Sequence, residues 1–160
     1  MTAVFAAGAS LVLACSLAVT VSVVSDKRKR IRHTEAVLDL ISHVRSNIEL
    51  FLTPVSGIFS DFRNDDLEAC GFSAVLRDSG IEEAVRKGAA SLSVETEEVL
   101  TFFSSSLGKS YKEDQLRLCD YCGEKIKAEL EREREELKRN VGAYRFAPLI
   151  FALFIILCFI

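Results

Sequence analysis

Cys119 and Cys122 stand three positions apart, the spacing of half a zinc site or of a thiol redox pair. Just upstream, Gly108-Lys109-Ser110 reads like the end of a phosphate-binding loop. His33 and His43 add two imidazoles, and Glu131, Glu133, Glu135 and Glu136 supply carboxylates interleaved with Arg132 and Arg134. These are the residues with which this chain could do chemistry, and each group is tested by what its chemistry demands.

A phosphate-binding loop needs a second glycine five residues before the first glycine of the Gly-Lys-Ser end, and a strand ahead of it. Phe103 occupies that position, and the preceding residues read as a helix. Structural zinc needs four ligands, and the remaining candidates are Cys70, His33 and His43, none paired at ligand spacing. A thioredoxin-like pair needs a βαβ setting, for which no alternating strand pattern exists. His33 and His43 lie ten apart with no nucleophile at motif spacing. Acidic and basic residues that alternate along a helix make a solvated ion-pair face before they make an acid–base site. The expectation is therefore no catalytic residue, no cofactor and no metal, hence no enzyme. A metal or redox sensor built on Cys119 and Cys122 stays as the alternative.

The elements that carry these residues follow from charge and periodicity. All 20 Lys and Arg and all 23 Asp and Glu fall between Asp26 and Arg145, so both ends are charge-free and apolar. Residues 2–24 would form a helix of about 34 Å, enough to cross a hydrocarbon core of about 30 Å. The last tract, 146–160, is short alone; with 143–145 included, and Arg145 snorkelling, 143–160 reads as a second span. A signal peptide carries its basic residues before the apolar core, whereas Lys27, Arg28, Lys29, Arg30 and Arg32 come after it. With Lys138, Arg139 and Arg145 flanking the second tract, the positive-inside rule places 26–142 in the cytoplasm and both termini outside. A net charge of −3 offers no broad basic field for nucleic acid. Five cysteines, two of them within the apolar tracts, do not form the disulfide framework of a secreted domain.

Residues 26–142 read as all-α. Val37, Ile41, Val44 and Ile48, continued by Phe51 or Leu52, make one apolar stripe, and this helix ends near Thr53 before Pro54. Thr53 then serves as N-cap of a short helix reaching about Arg63. Two weaker signals, 65–80 and 81–92, are broken at Gly80 and Gly88 and predict small helices. Ser93 caps a firmer one carrying Val99, Leu100, Phe102, Phe103 and Leu107, which Gly108 stops. Ser110 to Glu113 has the form of a capping box, so Gly108, Ser110 and Glu113 are the structural caps of a helix-turn-helix. From there Leu116, Cys119, Cys122, Ile126, Leu130, Leu137 and Val141 trace a second long stripe. The fold class expected is a cytoplasmic helical bundle between two transmembrane helices, its long first and last helices pairing antiparallel.

The apolar N-terminal tract with its basic run, the amphipathic stretch AVLDLISHVRSNIELFLTP, the turn Leu107-Gly108-Lys109-Ser110 with Asp114 and Gln115 behind it, and the charged helix leading into a terminal apolar tract resemble the stage III sporulation protein AB family of endospore-forming bacteria. The resemblance runs nearly end to end. It implies a helical domain similar to the cytoplasmic domain of type II secretion F proteins, in a non-enzymatic integral membrane subunit of a channel complex between mother cell and forespore. It also implies residence in the mother-cell membrane around the forespore and, as partners, the lipid bilayer, other stage III sporulation channel subunits and a cytoplasmic secretion-type ATPase for which the subunit is a platform. A homo- or hetero-oligomer follows from that role, with contacts expected on the short helices farthest from the bilayer.

Overall fold

The computed structural model describes the backbone of residues 2–50, 55–88 and 92–158, with most side chains of the two apolar ends outside the described set. Seven α-helices follow in chain order among the described residues: α1 Thr2–Leu50, α2 Val55–Ile58, α3 Asp65–Ala69, α4 Phe72–Ser79, α5 Ile81–Gly88, α6 Val94–Ser106 and α7 Lys112–Cys158. The described residues contain no strand, as the periodicity predicts. The chain divides into two compact units, 1–29 with 133–160, and 30–132. The first consists of the outer ends of α1 and α7. Both membrane-span expectations, 2–24 and 143–160, rest largely on side chains outside the described residues. Among the described residues, no helix is long and apolar enough to cross a membrane.

The second unit holds the core, built where the stripe residues of α1 and α7 meet. Val37, Leu40, Ile41, Val44 and Ile48 of α1 are buried, as are Cys119, Cys122, Ile126 and Leu130 of α7. Within this unit the two helices run antiparallel. Lys112 donates to the Glu49 carbonyl at 2.8 Å, Arg45 donates to Asp120 at 2.6 Å, and Gly123 faces Leu38 and Ile41, so the register descends on α1 as it rises on α7. Lys112 also meets a carbonyl in the last turn of α1, where the helix dipole favours a cation.

The short helices close the rest of the core with Ile58, Phe59, Phe62, Leu67, Phe72, Leu76, Ile81, Ala84, Val85, Leu100 and Phe103. Two departures from the expected elements have local causes. The helix after Pro54 stops at Ile58 rather than near Arg63, because Ser60 turns its hydroxyl back onto the Gly57 carbonyl at 2.8 Å, and the Arg63 guanidinium takes the carbonyls of Ser60 and Phe62. The Thr53 cap itself lies outside the described residues. The signal at 65–80 is two helices, because Gly71 adopts φ +79, a left-handed conformation that favours glycine. Asn64 caps the first of these, accepting from the backbone N–H groups of Asp66 and Leu67. Ser93 caps α6 as expected, accepting from the Thr96 N–H at 3.2 Å.

Candidate functional site

The turn that raised the nucleotide question joins α6 to α7. Leu107 N–H closes the last turn of α6 onto Phe103 O at 2.9 Å, and Gly108 follows at φ +78. Phe103, at the position where a phosphate loop requires glycine, is fully buried in the core. Lys109 and Ser110 are exposed beyond it. Helix α7 begins at Lys112, with Glu113 and Asp114 in its first turn, where carboxylates suit the positive end of the helix dipole.

Gln115 makes the side-chain hydrogen bonds that span this turn. Its Oε1 accepts from the Gly108 N–H at 2.9 Å, and its Nε2 donates to the Ser106 carbonyl at 3.4 Å. One amide therefore ties the end of α6 to the start of α7, and it is itself buried. Gln115 lies four residues before Cys119, so it prolongs the buried stripe backwards; a polar residue at an apolar phase was the signal in the sequence. Replacing it with Ala leaves the Gly108 N–H without its partner, while the Ser106 carbonyl keeps the Lys109 N–H at 3.4 Å, and costs about 1–3 kcal/mol. Gln115→Met keeps most of the volume but neither hydrogen bond, so a loss close to that of Ala in a denaturant titration followed by circular dichroism would assign the cost to the hydrogen bonds.

Cys119 and Cys122 are both free thiols and both fully buried. Burial pushes each thiol up to about 11, with the neighbouring Cys122 adding to the effect at Cys119. A metal ligand or attacking nucleophile must be a thiolate, so this surrounding works against either use. Cys70, at the end of α3, is exposed. Among the described residues no group of three or more His, Cys, Asp or Glu converges as a metal site would require.

The histidines part company. His43 points at the end of α2, where its Nε2 lies 3.0 Å from the Ile58 carbonyl, and its ring tilts against Phe62 at 5.4 Å. With its N–H on that carbonyl, His43 satisfies one of the acceptors a helix end leaves open. Asn47 donates to the His43 carbonyl at 2.9 Å, supporting the same turn of α1. His33, ten residues away, sits half-buried near the start of the second unit.

The charged run of α7 makes surface pairs. Arg132 donates to Glu95 of α6 and to Glu129, both at 2.9 Å, and the hydrogen bond from Arg132 lowers the Glu95 carboxyl below its ordinary range. On α5, hydrogen bonds from Arg86 and then Lys87 bring Glu83 down to about 2. Pairs this close to solvent are screened and add little stability, and they fix the relative setting of α6 and α7 more than they bind anything.

Of the residues that could do chemistry, Cys119 and Cys122 are buried in the core, His43 meets the end of α2, and Arg132 pairs with Glu95 and Glu129. The model of the family described as stage III sporulation protein AB matches residues 6–160. No curated protein and no solved structure matches the chain. A match over almost the whole length, through the apolar tracts, the capped turn and both long helices, is decisive: the chain belongs to the stage III sporulation protein AB family.

Proposed function

We infer from family membership a role in stage III of sporulation. We propose that the chain is a non-enzymatic integral membrane subunit of a channel or secretion-like complex between mother cell and forespore, and that its helical unit is a platform docking a cytoplasmic ATPase. The observation that carries this reading is the confinement of every charged residue to Asp26–Arg145, between two charge-free apolar tracts with basic residues on their inner flanks. A subunit with topology signals and a packed helical unit is suited to holding other proteins at a membrane.

Two measurements test the reading. Detergent-solubilised full chain from sporulating cells should co-purify with other stage III subunits and with the ATPase, and deletion should block sporulation; intact sporulation without any such partner would sink it. Topology has a native reporter in Cys70, which is exposed. A membrane-impermeant maleimide, read peptide by peptide, should label Cys70 only after the cells are permeabilised. Labelling in intact cells would place the helical unit outside.

A further inference from the structure

Helix α6 buries Thr96, Leu100 and Phe103 on one side and leaves Val94 and Phe102 exposed on the other, among polar residues. Val94 is 68% exposed and Phe102 50%, unusual for side chains of this size on a face made of otherwise ordinary surface residues. Phe102 does not stand alone. It meets Tyr121 of α7 edge to face at 6.2 Å, and Tyr121 is itself 53% exposed. Beside Phe102 runs a groove lined by Val94, Glu97, Glu98, Thr101, Phe102 and Ser105. Those positions recur at three- and four-residue spacing, so they form a single helical ridge of the kind into which a second helix packs. From Val94 to Ser105 the ridge is about 16 Å long, the length of three helical turns.

Its charge decides what fits. Helix α6 contains Glu95, Glu97 and Glu98 and not one Lys or Arg. Glu95 is neutralised by Arg132, but Glu97 and Glu98 make no ion pair among the described residues. The groove thus pairs an aromatic anchor with two carboxylates on the α6 side, while Lys125 lies over the Tyr121 ring at 5.8 Å on the α7 side. That combination repels an anionic bilayer surface and nucleic acid, and it attracts a cationic segment. Among the described residues there is no sheet edge to which a strand could add.

We propose that the α6 ridge, centred on Phe102 with Glu97 and Glu98 at its border, docks an amphipathic helix of a partner protein whose apolar anchors are flanked by Lys or Arg. This rests on the platform reading above and names the chemistry of what the platform holds.

The probe is a fluorescent three-turn helical peptide with leucines on one face and lysines at the flanks, titrated by anisotropy against the full chain in detergent. Phe102→Ala should weaken binding about 30-fold, the loss typical of an aromatic hot spot. Glu97→Lys with Glu98→Lys should abolish it and confer binding of the same peptide with glutamate flanks, because rim charges set partner choice. Phe102 and Glu98 are exposed and Glu97 is half-buried, so circular dichroism should show unchanged folding. Equal binding of both peptides, or binding indifferent to Phe102, overturns the proposal. In sporulating cells a photo-crosslinking residue at Ser105 should yield an adduct on an apolar segment of another protein flanked by Lys or Arg. An adduct with a second copy of this chain or with lipid, or no adduct, overturns it. If Phe102→Ala leaves sporulation and co-purification intact, docking lies elsewhere and the platform reading stands without this one; if the wild-type chain captures no partner, the platform reading falls first.

Discussion

Phe103→Ala should lower the unfolding free energy by about 3–5 kcal/mol, whereas Phe102→Ala, one residue earlier, should change it by less than about 1 kcal/mol. Phe103 has no exposed surface and packs in the core with Leu100 and Leu107, so truncation removes a ring and leaves a cavity that fixed helices cannot close. Phe102 faces solvent and Tyr121, and loses mainly one edge-to-face contact. Domains are stable by only about 5–15 kcal/mol, so the first loss takes a large share of the total. Denaturant titration of the full chain, followed by helical circular dichroism, measures both. A second readout is local: Cys119 and Cys122 react with a thiol reagent only when the unit opens, so their labelling at neutral pH should accelerate about 100-fold or more in Phe103→Ala. Similar losses for the two variants would mean that α6 is rotated relative to its partners.

This pair of neighbours also marks what the sequence could show. Spacing announced α6, its Ser93 cap and its stop at Gly108, and it listed Phe102 and Phe103 together as apolar surface. Which of them is inside depends on the phase at which α6 meets α1 and α7, a tertiary fact that Thr96, Leu100 and Phe103 settle only once they face the same core. The long helices were easier, because a stripe repeated over many turns averages out single-residue ambiguity: Val37, Ile41, Val44 and Ile48 on one, and Cys119, Cys122, Ile126 and Leu130 on the other, are all buried. Short elements were harder. Gly71 divides 65–80 through a positive φ, which no apolar periodicity reports. Gln115 and His43 could be named from the sequence but their roles could not, since those roles are hydrogen bonds to Gly108, Ser106 and Ile58, partners that only the folded chain brings near.

The thiol pair gives the strongest pH dependence to expect. An ordinary thiol titrates near 9.0, and burial pushes both Cys119 and Cys122 up to about 11 in the folded chain. The unfolded chain therefore gives up these protons first. Between about pH 9 and 11 the folded state binds more protons than the unfolded one, so unfolding becomes easier as pH rises; the stability is fully present below pH 9. A rise of this size corresponds to about 2–3 kcal/mol for each thiol, lost progressively across that window. Tyr and Lys side chains also ionise there, and the variant with Cys119→Ala and Cys122→Ala separates their contribution: it should be less stable than wild type at pH 7, having lost two packed sulfurs, yet show a shallower decline above pH 9. Parallel declines in the two proteins would show that the thiols ionise without unfolding, and hence that they are reachable from solvent. The same arithmetic bears on the sensor alternative. A thiol with its pKa near 11 is a thiolate about once in 10,000 at pH 7, and capture of zinc or attack on a disulfide requires the thiolate. Steep alkaline destabilisation that vanishes with the double replacement would therefore tie Cys119 and Cys122 to packing between α1 and α7 and leave partner contact, rather than metal or redox sensing, as the work of the exposed face of this unit.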